Sequence, residues 1–86
     1  HVGDGNFHVQ LMVNPKDKNE IEVLNIFLDR LSKRAINMDG TCTGEHGIGQ
    51  GKKQYLIDEL GSSVNFMKRI KSTLDPNNIM NPGKVF

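Results

Sequence analysis

The sequence predicts an α+β fold, a partial ferredoxin-like combination of sheet and helix. In chain order it reads as strand, helix, strand, two short helices and a coil tail. Three observations carry that expectation. Phe7 to Val13 alternates loosely and ends on the apolar Leu11-Met12-Val13, the pattern of a half-buried strand. Ile21, Leu24, Leu28, Leu31 and Ala35 recur every three or four residues, the period of one helix face. Thr41-Cys42-Thr43 is short and rich in β-branched residues. Two strands are too few to close a sheet. The chain also opens on His1 with no initiator Met, so residues 1–86 are expected to be part of something larger.

Each element follows from local chemistry. Gly3-Asp4-Gly5-Asn6 is turn chemistry, tolerant of positive φ, and feeds the first strand. Asn14-Pro15 breaks that strand. Asp17 and Glu20 stand at capping-box spacing, so the long helix is expected from about Lys18 to Ile36, stopped before Asp39-Gly40. Gly44-Glu45-His46-Gly47-Ile48-Gly49-Gln50-Gly51 holds four glycines in eight residues and predicts a loop built for close backbone approach. Two helices should follow, about Lys52 to Leu60 and Ser63 to Leu74, separated by Gly61 and capped by Ser62 or Ser63. Val64, Met67, Ile70 and Leu74 form the expected buried stripe of the second, which Asp75-Pro76 ends. Asn77 to Phe86 should be packed coil.

Composition narrows the possible functions. Eleven Lys+Arg against ten Asp+Glu leaves a formal charge of +1, so no basic stripe for nucleic acid is present. One cysteine, Cys42, permits neither a disulfide nor a Cys-rich metal cluster. Between two threonines it is expected to be a small packed residue. No apolar run is long enough to span a membrane. The basic groups Lys68-Arg69-Lys71 and Arg30, Lys33, Arg34 read as solvated helix faces. The glycine loop fits no phosphate motif. For a Walker A loop His46 stands where the first glycine belongs and Lys53 where Ser or Thr should be, and Lys52 occupies the third glycine of a dinucleotide fingerprint.

The histidines are the chemical signal. His1, His8 and His46 all lie in or beside glycine-rich turns, none on a helix stripe, and with Glu45 they make a candidate metal site. Two imidazoles and a carboxylate are a recurring catalytic zinc set, and related sets suit manganese or iron.

Three segments then become recognisable together: His-Val-Gly-Asp-Gly-Asn-Phe-His from His1, Gly-Thr-Cys-Thr-Gly-Glu-His-Gly-Ile-Gly from Gly40, and Leu-Asp-Pro-Asn-Asn-Ile-Met-Asn-Pro-Gly-Lys-Val-Phe from Leu74. In order and spacing they resemble the C-terminal domain of FAD-linked oxidases, within the vanillyl-alcohol oxidase-type flavoproteins, over the whole chain. The Gly40–Gly49 wording is most similar to the D-lactate dehydrogenase branch, with the glycolate oxidase flavin subunit and D-2-hydroxyglutarate dehydrogenase also in the family.

The resemblance implies that 1–86 is the C-terminal portion of a substrate and metal domain, with the FAD-binding domain outside this chain. It implies metal ligands at His1, His8 and Glu45, for zinc or manganese, and an active-site base at His46. Gln10 falls where relatives place a polar substrate-facing side chain, often Asn, and Asn81 is the implied flavin contact. The implied activity is FAD-dependent oxidation of a small D-2-hydroxy acid (D-lactate, glycolate or D-2-hydroxyglutarate) to the 2-oxo acid. Electrons would pass to a cytochrome, quinone or electron-transfer flavoprotein, and a homo-oligomer is expected. The implied location is cytoplasmic or peripheral to the inner face of a membrane, mitochondrial in a eukaryote. The piece alone is expected to be inactive. The alternative is a stand-alone metal-binding or regulatory module without redox activity.

Overall fold

Asp17 opens the longest element of the computed structural model, which describes residues 1–86. Its Oδ1 accepts from the Asn19 and Glu20 backbone N–H groups at 2.9 and 3.2 Å, satisfying two donors that have no partner within the helix. Glu20 reaches back past the cap, and its Oε2 accepts from Asn14 N–H at 2.7 Å. The helix, α1, runs Lys18–Asn37. It ends in a Schellman motif: Asp39 N–H donates to Ile36 O, and Gly40 N–H donates to Ala35 O at 2.9 Å. Asp39 takes the left-handed position at φ 59. Gly40 is needed for a different reason, since a Cβ there would sit 2.9 Å from the Ala35 carbonyl oxygen.

Two shorter helices follow, α2 (Lys53–Leu60) and α3 (Ser63–Leu74), joined at Gly61, whose φ of 54 favours glycine. A single 3-10 turn, Val2–Asp4, precedes them all. The middle helix α2 packs against both α1 and α3. Tyr55 on α2 donates its hydroxyl to Asp29 Oδ1 on α1 at 3.2 Å, and Leu56 on α2 and Val64 on α3 are buried.

The α+β expectation is overturned. The chain is helical with no strand, so there is no strand-helix-strand unit and no partial ferredoxin-like sheet. The physical reason is visible at both expected strands. From Phe7 to Val13 no backbone group makes a hydrogen bond within the chain, and a strand without a paired neighbour is not a strand. At Thr41–Thr43 the Cys42 peptide is bonded by side chains rather than by another strand. Alternation registers the tendency to lie in a sheet but cannot supply the partner.

Burial is sparse. Cys42, Leu56 and Val64 are the buried apolar residues, joined by Asp75. Of the stripe expected on α3 only Val64 is buried, while Met67, Ile70 and Leu74 remain exposed. On α1 the expected face is half-buried at Ile21, Leu24, Leu31 and Ala35. The radius of gyration is 15.3 Å, against about 12 Å for a compact chain of this length.

Candidate metal centre

Glu45 and His46 are sequence neighbours, which in a strand would send their side chains to opposite faces. They instead occupy the two corners of a tight turn, closed by Gly47 N–H donating to Gly44 O at 3.4 Å. Gly47 is at φ 73, a conformation natural to glycine. Thr43 braces the turn by donating its hydroxyl to the Gly47 carbonyl at 2.7 Å. The N-terminal motif comes against it through Gly44: a Cβ there would overlap the Asn6 side-chain amide. That close approach carries His8 to Glu45.

The result is a three-residue cluster. His8 Nε2 lies 2.9 Å from Glu45 Oε1, and His46 Nε2 lies 3.6 Å from the same oxygen. The two imidazole rings are 4.8 Å apart at a 57° tilt. One ligand atom from each of His8, Glu45 and His46 falls within 4.8 Å of the others. Side-chain exposures of 45%, 53% and 72% leave the cluster open to solvent. Two imidazoles and one carboxylate oxygen suit zinc or manganese, so the donor set fits the implied metal.

The other expected site residues are not among these three. His1 precedes the 3-10 turn, where its carbonyl accepts from Asp4 N–H and Asn6 N–H, and it is not one of the three converging residues. Gln10 is exposed in the unpaired segment after His8. Asn81 is left-handed at φ 46 and lines an open recess of about 290 Å³ with Lys68, Lys71, Ser72 and Lys84. A second amide, Asn78, and Phe86 also contribute to that lining.

Sequence reasoning missed the groups that hold the loop. Glu59, on the last turn of α2, accepts from the Cys42 backbone N–H at 3.0 Å and from the Thr41 hydroxyl at 3.1 Å. The Cys42 N–H is the main cause holding the Glu59 carboxyl below its ordinary range, against an opposing effect of burial. Lys52, just before α2, donates its Nζ to the Cys42 carbonyl at 2.9 Å. Burial is the largest cause pushing the Cys42 thiol up, and Glu59 adds to it, which fits a packed residue and not a nucleophile. No local signal marks Glu59, which reads as one more polar helix residue. Farther away, Val85 N–H donates to Gly49 O at 2.7 Å and Lys53 Nζ to Phe86 O at 2.9 Å, fastening the tail to the glycine loop and to the start of α2.

With that geometry in hand, comparison with known proteins gives one answer. The family model for FAD linked oxidases, C-terminal domain, matches residues 1–85. The chain is 54% identical over 86 residues to a probable D-lactate dehydrogenase, mitochondrial, of Danio rerio, covering 99% of this chain and 17% of that protein. It is 55% identical over 89 residues to D-lactate dehydrogenase (cytochrome), mitochondrial, of Arabidopsis thaliana, covering 99% of this chain and 15% of that protein. A similarly named mitochondrial protein of Saccharomyces cerevisiae is 49% identical over 87 residues, covering all of this chain and 14% of its own length. The chain therefore spans about one-sixth of the length of the curated relatives it matches.

Proposed function

The chain belongs to the family of FAD-linked oxidases, as their C-terminal domain, and on that premise we propose that it serves a flavin-dependent D-2-hydroxy-acid dehydrogenase. D-lactate is the first substrate, by analogy with the names of the similar proteins, and glycolate or D-2-hydroxyglutarate the next. In this reading residues 1–86 are the substrate- and metal-facing portion of a longer flavoprotein. The observation that carries it is the convergence of His8, Glu45 and His46 on one exposed point.

The side chains divide the work by chemistry. His8 and Glu45 hold the cation, zinc or manganese, and His1 is the third ligand. His46, the most exposed of the cluster, is the base, its imidazole accepting the substrate hydroxyl proton. Gln10 offers its amide to the substrate, and Asn81 offers one to the flavin. What the two absent groups supply when bound is Lewis acidity toward the substrate hydroxyl, from the cation, and hydride acceptance, from FAD. Electrons then leave to a cytochrome, a quinone or an electron-transfer flavoprotein, and the location is mitochondrial in a eukaryote. No helix is long and apolar enough to cross a membrane. A second reading is favoured by the geometry at one point: His46 lies close enough to Glu45 to be the third ligand in place of His1.

The test uses the full-length protein loaded with FAD and mixed anaerobically with D-lactate, L-lactate, glycolate and D-2-hydroxyglutarate, before and after chelation. The expected outcome is loss of flavin absorbance with D-lactate, abolished by the chelator. Unchanged absorbance with every acid would end the dehydrogenase reading, and bleaching that survives chelation would remove the metal from it.

A further inference from the structure

We infer that Lys52 and Glu59 are positioning residues for the metal centre, gripping the Cys42 peptide from the two ends of α2 and so setting where Glu45 and His46 stand. The inference rests on the metal-site reading above and adds two residues that touch neither the cation nor the substrate.

The turn that carries Glu45 and His46 has few attachments. Inside the turn Gly47 N–H donates to Gly44 O and Thr43 Oγ1 to Gly47 O; from outside it, His8 Nε2 reaches Glu45 Oε1 at 2.9 Å and, farther along the loop, Val85 N–H donates to Gly49 O. Asn6 only packs over Gly44. The fixed point is Cys42, buried at 7% exposure and three residues before Glu45. Its N–H and its C=O, the two groups that sheet pairing would have used, are satisfied by a carboxylate and an ammonium instead. Bonds to ionised groups are shorter and stronger than neutral ones, so α2 replaces a missing neighbouring strand with two charge-assisted contacts. Glu59 also takes the Thr41 hydroxyl, which stops rotation of the segment about a single bond. Thr43, next along, passes that constraint into the turn. Groups that orient a ligand without being one commonly change metal affinity 10- to 100-fold. Before the turn, these bonds to Cys42 and Thr41 are what tie the segment to α2, so loss of either grip loosens the backbone that sets the Glu45 carboxylate against His8.

The experiment measures Mn²⁺ affinity of the full-length flavoprotein, stripped of metal, by competition with a fluorescent chelator. Flavin content and thermal midpoint are followed in parallel. Glu59→Ala and Lys52→Met should each weaken Mn²⁺ binding about 10-fold with flavin content kept. Glu59→Gln retains an oxygen to accept from Cys42 and Thr41, and should recover most of the affinity. His8→Ala serves as the reference. If His8→Ala loses Mn²⁺ while Glu59→Ala and Lys52→Met bind it like the parent, the positioning role is wrong and the metal site stands. If His8→Ala binds unchanged, the metal site itself is wrong and takes this inference with it. Should Glu59→Ala fail to retain flavin, Lys52→Met decides alone, since it removes only the contact to the carbonyl.

Discussion

At the residue scale, the distinction that matters most is between His1 and His46. Both are imidazoles beside glycines, and in the folded chain only His46 shares an oxygen of Glu45 with His8. If His1 is the third ligand, His1→Ala weakens metal binding while His46→Ala spares binding and removes turnover. If His46 is the ligand, His46→Ala weakens binding and His1→Ala does not. Metal titration of the two full-length variants separates these outcomes. Asp75 makes a second residue-scale case. Its carboxylate takes Lys71 Nζ together with the Ile79 and Met80 N–H groups, in that order of effect, and its pKa falls from the ordinary 3.8 to about 2. A folded pKa below the unfolded one means the stabilisation is present above about pH 4 and is lost as pH drops toward 2. Asp75→Asn should therefore lower the urea midpoint at neutral pH and flatten its decline across that acid window. A parallel decline in the two proteins would show that Asp75 contributes nothing to acid sensitivity.

Elements show where local rules held. The start of α1 was legible because capping is a matter of a few adjacent residues: Asp17 stands before the first apolar position and does bond Asn19 and Glu20. Asp17→Ala should cost about 1 kcal/mol, measurable by denaturant unfolding of the full-length protein. An unchanged midpoint would mean that packing outside the helix holds its first turn. The ends of α2 and α3 were equally legible from Gly61 and Asp75-Pro76. The strands were not, because a strand is half of a pair, and Phe7–Val13 finds no other half in these residues. Nor was the part played by α2, whose polar side chains serve a loop 10 to 17 residues upstream.

At the scale of the molecule, too little surface is buried for an independent fold. Three apolar residues form the core, and Phe66, Ile70, Leu74, Ile79 and Met80 all face solvent. A chain of this size buries about 60% of its unfolded surface even when well packed, and its stability is then marginal. Produced alone, residues 1–86 should unfold without a cooperative transition and retain no FAD. A sharp sigmoidal melt by circular dichroism would contradict this.

By itself the sequence determined the helices, the Asp17 cap of α1 and the glycine loop, because each depends on residue type within a few positions; the expected serine cap of α3 makes no side-chain bond. His8, Glu45 and His46 were all legible in the sequence as candidate site residues. Tertiary structure alone decided which of them meet, through the Asn6–Gly44 approach and the turn that puts Glu45 beside His46. It also decided that Lys52 and Glu59, rather than a neighbouring strand, satisfy the Cys42 peptide. Hydrogen-bond partners brought together by folding leave no periodicity in the chain, and a buried peptide group is satisfied by whichever side chain or backbone the fold sets against it.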